Sequence, residues 1–295
     1  MPRTDQPRRF ASVPEVHERL SAAAYLPSDA IATTCYLADA LDKPVLVEGP
    51  AGVGKTELAV AMARATGAEL IRLQCYEGVD EARALYEWNH AKQLLRITAE
   101  RDAEGGWDAL RHNIFSEEFL LPRPLLRAIR SEAPVVLLVD ELDKADVEVE
   151  GLLLELLSDF QVTVPELGTV TARHTPFVVL TSNATRELSE ALRRRCLFLH
   201  LDYPDPALER RILTLRVPGL DDVLAESVVR LVNRLRDLRL RKAPSVSETV
   251  DWGRTLLALG VGDLDVSVIR DNLGVLLKHQ DDITRAIVAL GLRDG

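Results

Sequence analysis

The chain is 295 residues long, enough at about 150 residues per domain for two domains with their own cores, so neither disulfides nor a metal is needed to hold it. Hydrophobic residues make up 47% and charged residues 28%, which excludes a disordered, collagen-like or coiled-coil chain. A net charge of −10 argues against a protein whose main surface covers a nucleic-acid backbone, though it allows a local basic patch.

Cys35, Cys75 and Cys196 form no C-x-x-C pair and are expected as buried thiols, not as a disulfide framework or a zinc site. No apolar run approaches the roughly 18 residues of a membrane span. Residues 1–10 are Arg-rich with no apolar segment behind them, so a frayed tail on a cytoplasmic protein is expected.

In chain order, five short apolar runs read as buried strands: 45–47, 70–73, 135–139, 177–180 and 197–201. Continuous apolar runs of this kind suit a parallel sheet covered on both faces. Helical patterns lie between them at 57–66, closed by Gly67, and at 120–130 and 149–157. Between 75 and 115 there is an insertion, in which Tyr86, Trp88, Leu94 and Leu95 suggest a short helical element and 102–106 a polar loop. The alternating segments 161–164 and 169–172 around the turn 165–168 predict a β-hairpin just before the fourth core strand. The turn-forming cluster 202–206 marks a boundary between an α/β core, 1–203, and a small all-α region, 204–295. Beyond it, 207–216, 224–240, 246–259 and 266–278 are helical, and Ser245 with Glu248 forms a capping box.

Gly49, Pro50, Ala51, Gly52, Val53, Gly54, Lys55 and Thr56 spell G-x-x-x-x-G-K-T, after a strand and at the start of a helix. Such an octet is expected by chance only about 0.002 times in a chain of this composition, so it is read as a phosphate loop. Its glycines turn backbone amides onto phosphate oxygens, Lys55 meets the β/γ charge, and the Thr56 hydroxyl serves Mg2+. Glu57, next in the chain, is counted in the same nucleotide-binding set. The third strand ends in Asp140 and Glu141, suited to orienting the shell of Mg2+ and polarising an attacking water. Asn183, after the fourth strand, could hold that water or touch the γ-phosphate. Arg193, Arg194 and Arg195 end a predicted helix, as a solvated face or as fingers toward a neighbouring subunit's nucleotide.

This order of phosphate loop, acidic second motif, Asn on the next strand, Arg cluster and helical lid resembles the AAA+ ATPases. The hairpin is similar to that of the pre-sensor-1 insertion clade, and within it the chain looks like the MoxR group. The strings LIRLQCYEGVDEARALYEWNHAKQLLR, LVDELDKAD, LLSDFQVTVPELGTVTA, VVLTSNATRELSEALRRRC and KAPSVSETVDW resemble the CoxD-type subgroup, and the likeness spans 45 to about 255. The resemblance implies a P-loop AAA+ core with a five-stranded parallel sheet, and ATP and Mg2+ as ligands. It makes Lys55 and Thr56 the phosphate and Mg2+ residues, Asp140 and Glu141 the second motif, Asn183 the sensor, and Arg195, then Arg194, the finger. One departure stands out: Ser247 lies where many MoxR relatives carry a lid arginine, leaving Arg254 or Arg241 as substitutes.

The resemblance further implies a homo-oligomeric ring, a hexamer, acting as a remodelling or maturation chaperone. Its client would be a molybdenum-containing hydroxylase such as carbon monoxide dehydrogenase, its partner a von Willebrand factor A domain protein, and Tyr86 and Trp88 its client contacts. The alternatives are a nucleic-acid-directed motor of the same clade, a small-molecule P-loop kinase, and a nucleotide-gated scaffold with little turnover. The basic run Arg230, Arg234, Arg236, Arg239, Arg241 and Lys242 is the best support for the first of these.

Overall fold

The computed structural model describes residues 8–99 and 114–292. Its packing divides the chain into two compact units. One contains Pro27–Glu48 and Thr56–His200 with the residues up to Ala23; the other contains Ala24–Leu26, Gly49–Lys55 and the chain from Leu201 onward.

The first unit is built on a parallel sheet of five strands, β1 (Val45–Glu48), β2 (Glu69–Gln74), β5 (Val135–Asp140), β8 (Phe177–Ser182) and β9 (Leu197–His200), in the spatial order β2-β5-β8-β1-β9. Every residue of β1, β5 and β8 is buried, which is why these strands read as unbroken apolar runs. Helix α3 (Lys55–Thr66) leads from β1 to β2, and α7 (Val147–Asp159) follows β5. The register sets Gln74 opposite Asp140 and Glu48 opposite Ser182. Polar groups thus gather at the carboxyl ends of the strands, the edge where open α/β sheets bind ligands.

Two small sheets are added. The hairpin pairs β6 (Gln161–Val164) with β7 (Gly168–Thr171), as its alternation and the left-handed Gly168 (φ +84°) require. In the 75–115 insertion the sequence reading is corrected. After a short helix, α4 (Glu81–Ala84), Tyr86 and Trp88 lie on a strand, β3 (Tyr86–Trp88), paired antiparallel with β4 (Leu120–Pro122). Leu94 and Leu95 belong to a separate helix, α5 (His90–Ala99). The helix expected over 120–130 begins only at Pro124, as α6 (Pro124–Arg130). Pro124 pushes Arg123 out of the helical region and suits a first helical position, so the apolar residues before it are released to pair as β4. Trp88 lies edge-on to Tyr86 and to Phe115, at centroid distances of 6.1 and 5.2 Å. The predicted loop at 102–106 lies outside the described residues.

Two helices before β1 were not anticipated: α1 (Val13–Ala22), capped by Ser12, and α2 (Asp29–Leu41), capped by Ser28. The predicted tail is also corrected, because it is anchored from Arg9 onward. Asp39 accepts from the Arg9 and Phe10 amides at 2.8 and 3.3 Å and from Arg9 Nη1 at 2.8 Å, while Arg9 Nη2 donates to the Thr175 carbonyl. Residues 1–7 lie outside the described residues.

The second unit is helical: α9 (Pro206–Arg216), α10 (Asp222–Arg236), α11 (Val246–Ala258), α12 (Val266–Leu276) and α13 (Gln280–Leu290), with no strand among its described residues. The last of these was not anticipated, and α10 stops four residues short of its predicted end. The capping box of Ser245 and Glu248 forms as expected. Burial alone would raise the Glu248 pKa, but the Ser245 hydroxyl and amide, with Lys242, outweigh it and hold the carboxyl below its ordinary value.

Inside this unit Glu209, wholly buried, takes two bonds from the Arg236 guanidinium at 2.6 and 2.7 Å and one from the Thr249 hydroxyl at 2.8 Å. Arg236 also donates to the Pro244 carbonyl at 2.9 Å and lies 4.6 Å from the Tyr203 ring. A buried charge stripped of its partner is costly, so Glu209→Ala should lower unfolding free energy by about 3–5 kcal/mol. Replacing both residues with apolar ones of similar size should recover most of that loss in denaturant unfolding.

Candidate functional site

The loop after β1 is shaped by glycines. Gly52 and Gly54 take φ of +75° and +101°, which other residues rarely adopt. A Cβ on Gly49 would stand 1.9 Å from the Leu201 carbonyl oxygen, and one on Gly52 would stand 2.1 Å from Ser245 Oγ. Lys55 is buried, and its ammonium donates at 2.7 Å to the carbonyls of both Gly49 and Pro50. Ser247 donates to the Gly52 carbonyl from its amide at 3.3 Å and from its hydroxyl at 3.5 Å. The position read as lacking a lid arginine therefore meets the loop through neutral hydrogen bonds. Of the proposed substitutes, Arg254 pairs with Asp251 on its own helix, and the Arg241 amide donates to Asp282.

In the first unit, Asp140 ends β5 with a side chain only 3% exposed. Its Oδ1 accepts from the hydroxyls of Thr56 at 3.0 Å and Thr181 at 2.5 Å, and its Oδ2 from Arg72 Nη2 at 2.5 Å. Glu141 follows in a left-handed conformation, φ +56°, its amide bonded to Thr181 Oγ1 at 2.9 Å. Its carboxylate accepts from Gln74 Nε2 at 2.9 Å and Lys144 Nζ at 2.7 Å. The strand turns sharply at its end, so two consecutive acids separate, one inward and one half-exposed.

Asn183 stands directly after β8, half-buried, with its amide bonded to Asp143 Oδ1 at 3.1 Å. Thr185 donates to Asp143 Oδ2 from its amide at 3.1 Å and its hydroxyl at 2.5 Å. Burial works to raise the Asp143 pKa, yet these bonds prevail and hold it below the ordinary value. The arginine triplet divides around the end of α8 (Glu190–Arg193). Arg193 pairs with Glu48, the residue before the loop, at 2.6 Å. Arg195 donates to Ser158 Oγ and the Ala191 carbonyl at 2.8 and 2.9 Å. Arg194, 81% exposed, pairs with Glu190 on its own turn, at 3.5 Å. In the basic run of the helical region, Arg236 is consumed by its buried pair with Glu209, and Arg230 pairs with Glu226.

The structure thus joins Thr56, Asp140 and Glu141 through Thr181, Arg72 and Gln74. Arg72 and Gln74 were not singled out in the sequence; polar residues two apart on a strand that buries Ile71 and Leu73 were the signal. Hard oxygen donors on one carboxylate and one hydroxyl suit Mg2+, which binds proteins through few side chains. No group of three or more His, Cys, Asp or Glu able to hold a metal occurs among the described residues. Burial pushes all three cysteine thiols up to about 12, although Cys196 is partly exposed, and no pair is bonded. No helix among the described residues is long and apolar enough to cross a membrane.

Residues 45–201 match the family model described as "ATPase family associated with various cellular activities (AAA)". The chain is similar to protein NorQ of Paracoccus denitrificans, 27% identical over 227 residues that cover 75% of this chain and 74% of that protein. It is also 25% identical over 226 residues to an uncharacterized protein of Staphylococcus haemolyticus, covering 74% of this chain and 77% of the other. Among solved structures, a point mutant of RuvB from Thermotoga maritima aligns over 96% of this chain and 71% of its own, with a TM-score of 0.46 and 18% identity.

Two stability measurements check these contacts. Gly49→Ala forces a methyl onto a backbone oxygen and should cost about 1–3 kcal/mol in denaturant unfolding, whereas Gly151→Ala, in open space on a helix, should be neutral or slightly stabilising. Because Asp143 binds its proton less readily folded than unfolded, its stability contribution is present above the ordinary value near 3.8 and lost as pH falls below it. Asp143→Asn should show a smaller loss of unfolding free energy across that acid window than the unaltered chain.

Proposed function

Because the chain belongs to the AAA family of ATPases, we propose that it binds and hydrolyses ATP with Mg2+ as a ring-forming remodelling chaperone of the MoxR type. The observation that carries this reading is the Thr56 hydroxyl, 3.0 Å from Asp140 Oδ1 and next in the chain to Lys55. Lys55 and the backbone N–H groups of the loop 49–57, Pro50 excepted, hold the phosphates, and Thr56 and Asp140 hold the divalent cation. A divalent cation held by Thr56 and Asp140 would supply positive charge to offset the negative charge that develops as the γ-phosphate is transferred. Glu141, fixed by Gln74 and Lys144, orients the attacking water. Asn183 senses the γ-phosphate from the end of β8. Arg195, with Arg194 beside it, reaches a neighbouring subunit's nucleotide in a hexameric ring, and the helical region from Pro204 onward is the lid.

Similarity to protein NorQ over three quarters of the chain supports the MoxR placement. The finer assignment rests on the quoted strings: a CoxD-type ATPase in the cytoplasm, serving a molybdenum-containing hydroxylase such as carbon monoxide dehydrogenase beside a von Willebrand factor A protein. A second reading, a nucleotide-gated scaffold with little turnover, draws its support from Ser247, an uncharged contact where an arginine was expected.

One experiment separates them. In the full chain, Glu141→Gln should lower ATP turnover about 100-fold or more while ATP binding persists, and Lys55→Ala should abolish nucleotide-dependent oligomers by light scattering. Equal turnover in Glu141→Gln, or a monomer in saturating MgATP, contradicts the chaperone reading; binding and assembly with negligible turnover in the unaltered chain favours the scaffold.

A further inference from the structure

An ionised carboxylate withdrawn from water needs both hydrogen bonds and opposite charge. For Asp140 the hydroxyls of Thr56 and Thr181 supply the first at Oδ1, and the second comes from β2. Gln74 is registered against Asp140, and Arg72 stands two residues earlier on the same face of that strand. The Arg72 guanidinium reaches Asp140 Oδ2 at 2.5 Å, and the same nitrogen bonds Gln74 Oε1, which holds it on the β2 side. Arg72 itself is half-exposed while Asp140 is 3% exposed. The cation is therefore on the solvent side of the pair and can withdraw into water at modest cost.

We propose that Arg72 is a positioning residue that acts as the built-in counter-cation of Asp140, competing with the divalent metal for this carboxylate. The guanidinium offsets the charge of the buried carboxylate and holds it aligned, and it raises the cation concentration at which the site fills. Two positive charges on one carboxylate repel each other, so the metal gains less at Asp140 while Arg72 remains at Oδ2. Thr181 orients the same carboxylate without charge and carries no such penalty. The inference rests on the reading of Thr56 and Asp140 as the cation-holding pair.

The test is Mn2+ binding by the full chain saturated with a non-hydrolysable ATP analogue, followed by electron paramagnetic resonance, in the unaltered protein and in Arg72→Ala, Arg72→Lys and Asp140→Ala. Arg72→Ala should bind Mn2+ about threefold to tenfold more tightly, and Arg72→Lys should stay near the unaltered protein. A purely structural role would leave Mn2+ affinity unchanged or weakened in Arg72→Ala, and either result overturns the proposal. If Arg72→Ala does not fold, Arg72→Gln is read by the same criterion. Loss of Mn2+ binding in Asp140→Ala without tightening in the Arg72 variants sinks the counter-cation role alone. Undiminished Mn2+ binding in Asp140→Ala removes the cation site and the Arg72 proposal with it.

Discussion

Asp140 sits at the carboxyl end of β5 with its charge out of water, and its immediate surroundings are fixed by the need to satisfy that charge. In the sheet order β5 lies between β2 and β8, so its neighbours are the strands that supply Arg72 and Thr181. The third contact comes from Thr56, at the start of α3 and one residue beyond the phosphate-loop lysine. A slip of either neighbouring strand by one residue would turn its contributing side chain to the other face and strip the carboxylate of that contact. Register and helix placement are thus tied to one group, the carboxylate proposed to hold the cation.

The second unit shows the same economy around Glu209. A buried carboxylate, an arginine bonded to it twice and a threonine hydroxyl join α9, α10 and α11. Arg236 extends the network to the carbonyl of Pro244, immediately before the Ser245 cap. Within this unit Ser245 and Ser247 meet Gly52, so the start of α11 and the phosphate loop share a contact with no room for a side chain on the glycine. The loop's glycines serve close approach as much as backbone freedom.

Much of this was legible in the sequence, for identifiable reasons. Strands buried on both faces must be continuous in apolar residues, so β1, β5 and β8 declared themselves. The phosphate loop is set by backbone geometry that tolerates few residue types, and the Ser245 capping box is local. The features that escaped were decided at long range. Tyr86–Trp88 is too short to show a period, and it is a strand only because Leu120–Pro122 pairs with it. Arg9 looked like part of a loose tail because its partner, Asp39, lies 30 residues away. The roles of Arg72 and Gln74 depend on a register that only folding reveals, and the three arginines 193–195 took different directions that their adjacency concealed.

The most direct measurement of the central claim is calorimetric titration of the full chain with ATP, with and without Mg2+. The titration should show one site per chain whose affinity rises with Mg2+ and whose occupancy leads to phosphate release. Absence of saturable binding, or binding indifferent to the cation, would contradict that claim.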